Sequence, residues 1–145
     1  MPYDEMLVKP MREELTNLGV QELRTAADVD RVLAAKSGTV MIIVNSVCGC
    51  AAGGARPGIA LALKHATKPD TIATVFAGQD TEATARARSY FEGNAPSSPA
   101  IALFKDGKLM RLVQRFEIEG RHPEQIAKEL TANFDKHCAK QPAKA

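Results

Sequence analysis

The run Thr39 to Val44, TVMIIV, is β-branched or apolar at every position. Without polar alternation it reads as a strand covered on both faces, the centre of a sheet with a layer above and a layer below. Thr71 to Ala77 (TIATVFA) repeats the pattern. Ser97-Ser98-Pro99 is a turn leading into a third strand, Ala100 to Phe104. Asp106-Gly107 then reads as a hairpin turn into Lys108 to Val113. Val20 to Leu23 suits a short strand.

Helical segments fill the gaps. Met6, Leu7, Met11, Leu15 and Leu18 recur at helical spacing from Asp4 to Leu18, with Pro10 expected to kink or divide the helix and Gly19 to end it. Thr25 with Asp28 resembles an N-cap ahead of Val29, Val32 and Leu33. Ala51 to Ala66 is helical in composition, and Gly53, Gly54 and Pro57 suit its entrance. Asp80 can cap a helix reaching about Phe91. Pro123 opens a last helix whose stripe is Ile126, Leu130 and Phe134. Strands separated by helices imply parallel pairing, and the hairpin adds an antiparallel strand. The expectation is α/β: one mixed central sheet with helices on both faces. One domain spans 1–145, with 1–19 as a helical extension and 139–145 as a frayed tail.

Several function classes are disfavoured. A chain of 145 residues is one domain's worth of core. The apolar run Val40 to Val44 is far too short to cross a bilayer. The N-terminus, MPYDEMLVKP, carries acids where a secretory signal needs basic then apolar residues, so a cytoplasmic protein is expected. Lys and Arg total 19 against 17 acids, with no basic run, no Trp, two Tyr and five Phe. Nucleic acid is therefore not an expected partner, and neither is a membrane.

Three cysteines, an odd number, argue against a disulfide-stapled scaffold. Two of them form Cys48-Gly49-Cys50, at the end of the first buried strand and just before a helix. That is where a thioredoxin-like fold carries its redox site. Free N–H groups at the helix start favour thiolate there. No acid occurs between Val40 and Lys68, and Arg56 adds positive potential from a turn or two along. One cysteine is therefore expected to have a lowered pKa. Closing Cys-x-Cys makes a ring of roughly 11 atoms against roughly 14 for Cys-x-x-Cys, a tighter and more easily reduced geometry that Gly49 eases. Cys48, nearer the strand end, is assigned as nucleophile, and Cys50, covered by the helix, as resolving thiol.

Pro99 is a candidate cis proline, with a plain trans strand-entry proline as the alternative. In a thioredoxin-like sheet its loop faces the cysteines, so the Ser98 backbone can dock an extended substrate. Gly49, Arg56, Ser98 and Pro99 are thus the residues expected to meet substrate. Cys138 is a surface thiol on the terminal helix, or an accessory thiol exchanging with the pair. Zinc wants four ligands, usually with Cys-x₂₋₄-Cys spacing, and His65, His122, His137 and Cys138 are scattered. The segment Gly53-Gly54-Ala55-Arg56 lacks the lysine and hydroxyl of a P-loop.

The stretch Val44-Asn45-Ser46-Val47-Cys48-Gly49-Cys50-Ala51-Ala52-Gly53, with Ala55-Arg56-Pro57 after it, resembles the bacilliredoxin family. VFAGQD at 75–80, APSSPAIALFK at 95–105, EIEG at 117–120, PMREELT near the N-terminus and FDKHC near the C-terminus resemble it too. The resemblance covers essentially the whole chain. It implies a thioredoxin-like three-layer sandwich with an added N-terminal helix. It further implies a cytoplasmic thiol–disulfide oxidoreductase with no tightly bound cofactor and bacillithiol as thiol co-substrate. Cys48 would take bacillithiol from S-bacillithiolated proteins, and Cys50 or free bacillithiol would release it. Glu117 to Gly120 would lie in the loop near the same groove. The alternatives are a disulfide isomerase using Cys48 alone, or a non-catalytic thiol- or metal-binding module. A monomer is expected, or a weak homodimer through the N-terminal helix.

Overall fold

The computed structural model describes residues 2–34 and 36–139; the frayed tail expected over 139–145 lies almost wholly outside the described residues. Five strands form one sheet: β1 (Gln21–Glu22), β2 (Thr39–Asn45), β3 (Thr71–Phe76), β4 (Ala100–Lys105) and β5 (Lys108–Val113). Their spatial order is β1-β3-β2-β4-β5. The pairs β1–β3 and β2–β3 are parallel, while β2–β4 and β4–β5 are antiparallel. All seven residues of β2 are buried. The unbroken run is the central strand, as its lack of alternation requires.

Successive residues of β2 serve opposite cores. Met41 and Ile43 join Leu15, Ile59, Ile118, Ile126, Leu130 and Phe134 on one face. Val40, Ile42 and Val44 join Leu23, Val29, Val32, Val75 and Phe91 on the other. The first face is covered by α1 (Glu5–Thr16), α3 (Arg56–Ala62) and α6 (Pro123–His137), the second by α2 (Ala26–Leu33) and α4 (Thr81–Ser89). The hairpin turn is as read: Asp106 and Gly107 both take positive φ, 51° and 83°, which a tight two-residue turn demands. Thr25 and Asp28 form a reciprocal capping box at the start of α2.

Several expectations are corrected. Pro10 does not divide α1. Both Pro10 and Met6 are exposed, so the carbonyl that Pro10 cannot serve faces water. The buried stripe of α1 is Val8, Arg12 and Leu15, whereas Met6, Leu7 and Leu18 are exposed. Arg12 can be buried because Asp80 at 2.6 Å, Glu22 at 2.6 Å and Glu5 at 2.9 Å surround its guanidinium. Asp80 does sit at the N-cap of α4, but its carboxylate is turned to Arg12 and caps nothing. The single helix expected over Ala51 to Ala66 is a π turn over Ala51–Ala55 followed by α3, which stops at Ala62.

Candidate active site

The site is built where β2 ends. Asn45 Oδ1 accepts from the Ser46 N–H at 2.8 Å, and Asn45 Nδ2 donates to the Met11 carbonyl of α1 at 3.1 Å. Ser46 Oγ accepts from the Cys48 N–H at 3.1 Å. The Cys48 carbonyl then accepts from Ala51 at 2.9 Å and Ala52 at 3.2 Å, which starts the π turn. Cys48 and Cys50 are free thiols, both half-buried, with Gly49 exposed between them. Cys50 packs against the core of the α3–α6 face. It is half-buried there, at the start of the π turn.

The two thiols differ electrostatically. The Cys50 N–H donates to Cys48 Sγ at 3.4 Å and lowers the Cys48 thiol below its ordinary range. Burial opposes this, while the Cys50 side chain, the positive charge of Arg115 and the Ala51 N–H add to the lowering. Cys50 moves the other way. Its burial raises it first, then the Cys48 side chain and the negative charge of Glu119, with Arg115 opposing. Of the two, Cys48 is the thiol whose ionised form the surroundings favour.

The positive potential expected from Arg56 comes from Arg115 instead. Arg56 is 3% exposed and donates to Asn45 Oδ1 at 3.0 Å and to the Ser46 carbonyl at 2.8 Å. Its Nε lies 3.2 Å from Glu14 of α1, at ion-pair distance without hydrogen-bond alignment. It clamps the strand end from behind and does not reach toward a substrate. Sequence reading also missed α5 (Arg115–Ile118), a single turn set in the expected loop. The Arg115 N–H donates to Ser97 Oγ at 3.3 Å, and Glu117 caps Gln114 at 2.9 Å. Arg111 holds Glu117 at 2.6 Å and Glu129 of α6 at 2.7 Å. The motif at 117–120 gave the region, but nothing in the sequence pointed to Arg115, 67 positions beyond Cys48.

Ser98-Pro99 is cis. Ala100 pairs with Val44, so this loop lies beside the end of β2 from which the cysteine turn departs. Pro99 is buried and Ser98 half-buried. Cys138 is not a surface thiol: it is 8% exposed, in the α3–α6 core at the end of α6. Burial raises its thiol, against a contact with Thr39 that lowers it. Thr39 begins β2 and Asn45 ends it, so roughly 20 Å of strand separates Cys138 from the pair, and they do not meet within this fold. His65 is 2.8 Å from Asp135. Among the described residues no three His, Cys, Asp or Glu side chains gather as a metal would need. None of the described helices is long and apolar enough to cross a membrane.

Comparison with known proteins identifies the family and the fold. The family model described as disulphide isomerase matches residues 3–138. A bacilliredoxin of Koribacter versatilis is 54% identical over 136 residues, 94% of each chain. A bacilliredoxin of Salinibacter ruber is 52% identical over 95% of this chain and 82% of its own. Among solved structures, a thioredoxin variant from Halobacterium salinarum superposes with TM-score 0.54 at 14% identity, covering 84% of this chain and 93% of its own. Fasciola hepatica thioredoxin gives 0.52 at 17% identity, covering 81% and 99%. The chain belongs to the bacilliredoxin family, thiol–disulfide oxidoreductases built on the thioredoxin fold.

Proposed function

We propose that the protein removes bacillithiol from mixed disulfides on oxidised proteins, with Cys48 as nucleophile and Cys50 as resolving thiol. The observation that carries this reading is the asymmetry of the pair: Cys48 alone receives a backbone N–H on its sulfur and is the lowered thiol. The Cys48 thiolate attacks the bacillithiol sulfur, a Cys48–bacillithiol disulfide forms, and the target leaves as its thiolate. Cys50 then attacks Cys48, the Cys48–Cys50 disulfide forms, and bacillithiol departs as thiolate. A thiol reductant takes up the resulting disulfide. Membership among the bacilliredoxins supports bacillithiol as co-substrate. The position of the Ser98-Pro99 loop beside the end of β2 supports docking of an extended segment near Cys48.

A second reading, disulfide isomerisation, is favoured by one observation. Cys50 is raised and partly packed into the core, and an isomerase needs only one attacking thiol. The test is to mix the Cys50→Ala variant with a bacillithiolated target and read adducts by mass spectrometry. Bacillithiol trapped on Cys48 is expected, and no adduct there refutes the mechanism. Multiple turnovers of excess target by wild type, cut to a single equivalent in Cys50→Ala, separate the reductase from the isomerase.

A further inference from the structure

We infer that Arg115 is the specificity-determining contact of this site: it receives a carboxylate of the thiol whose sulfur is bonded to Cys48, and Glu119 holds that place in the free protein. The inference rests on the exchange chemistry proposed above and adds its charge recognition.

Geometry places α5 at the mouth of the cysteine turn. Its first residue is tied to Ser97, next to the cis Ser98-Pro99 peptide, by the Arg115 N–H to Ser97 Oγ bond. Its last residue packs on the π turn: a methyl built on Gly54 would lie 3.5 Å from Ile118 Cγ2. The helix therefore bridges the two segments that flank Cys48 and Cys50. The Glu117–Arg111–Glu129 chain fixes its rotation against α6. Arg115 is left half exposed, with 45% of its side chain accessible. Its charge reaches both sulfurs.

The partner of Arg115 is what makes it exchangeable. Glu119 lies 2.5 Å from Arg115 Nε, one turn along, with 49% of its side chain accessible. Such an exposed pair is weakly held. A guanidinium also offers more N–H donors than one carboxylate uses. A carboxylate carried on the sulfur compound can displace Glu119 at little cost. The exchange step itself is unchanged: the Cys48 thiolate bonds to one sulfur of a disulfide, the S–S bond breaks, and the other sulfur leaves as thiolate. An anionic disulfide is thus favoured over a neutral one at equal intrinsic reactivity.

The experiment uses the full chain in a Cys50→Ala background, so that adducts on Cys48 persist. Initial rates are measured with dithiobis(nitrobenzoate), a dianion, and with dipyridyl disulfide, which is neutral. Arg115→Gln is expected to lower the ratio of anionic to neutral rate by about threefold, the scale of one exposed charge pair. Glu119→Gln is expected to raise it, and Arg115→Lys to keep most of it. A change in the thiolate fraction of Cys48 scales both rates alike and leaves the ratio alone, so a purely structural role does not mimic the result. An unchanged ratio in Arg115→Gln, with both probes reacting, overturns this inference and leaves exchange at Cys48 standing. No reaction of the parent with either probe overturns the exchange reading and this inference with it.

Discussion

Replacing Arg56 with methionine tests the clamp behind the cysteine turn. The variant keeps most of the side-chain volume and deletes two hydrogen bonds from a charged donor, to Asn45 Oδ1 and to the Ser46 carbonyl. Bonds of that kind contribute about 1.5–3 kcal/mol each, and the Ser46 carbonyl loses its acceptor role in a buried position. Asn45 Oδ1 keeps the Ser46 N–H, which softens one of the two losses. The expected cost is therefore about 3 kcal/mol, or about 6–12 °C in Tm for a domain of this size. Urea unfolding of the reduced protein, followed by far-ultraviolet dichroism, reads it as a fall in midpoint at constant slope. Glu14→Gln is the control. Its carboxylate is 48% exposed, so it should cost less than about 0.5 kcal/mol. A loss below about 1 kcal/mol in Arg56→Met, or a Glu14→Gln loss as large, would refute the assignment of the clamp to the two acceptors.

Gly58→Ala should destabilise by about 1–3 kcal/mol in the same urea assay, because its methyl would lie 2.8 Å from Ile126 Cγ2 and 3.2 Å from the Pro123 carbonyl. Gly53→Ala, with nothing within 4 Å, should show no such loss. The pH dependence of alkylation, site-resolved by mass spectrometry, should place the Cys48 midpoint below the ordinary thiol value of about 8.5 and that of Cys50 above it. The sign carries to stability: the lowered Cys48 pKa adds stability present above the unfolded value and lost as pH falls through the folded one. Coincident midpoints would contradict the asymmetry. Cys138 should resist alkylation in the native protein and label only as the chain unfolds; labelling as fast as Cys48 would contradict its burial.

What was legible in the sequence followed from local signals. The run at 39–44, the turn at Asp106-Gly107 and the Thr25–Asp28 box each name their structure through two to six adjacent residues. The cysteine pair was legible for the same reason, since strand end, turn and helix entrance are contiguous. Residues whose partners are distant in sequence were misread. Asp80 has the position of a cap, but Arg12 competes for its carboxylate from 68 positions away. Arg56 is near the thiols along the chain, yet the buried Asn45 and Ser46 oxygens take its donors. The short α5 has no periodicity to detect, because Ser97 and Arg111 fix it from outside. Cys138 was readable after all: Ile126, Leu130, Phe134 and Cys138 continue one stripe at intervals of four.

The bond from Asn45 Nδ2 to the Met11 carbonyl, with Glu14 beside Arg56, changes how the N-terminal extension should be regarded. The helix rests its own backbone on the residue that ends the central strand, three positions before Cys48. A shortened chain beginning at β1 would keep every strand and both cysteines of the pair. It would still leave an amide hydrogen without an acceptor at the root of the reactive turn. For anyone trimming, tagging or fusing this protein, α1 is therefore the back wall of the thiol site, and a load applied to it is felt at the sulfur.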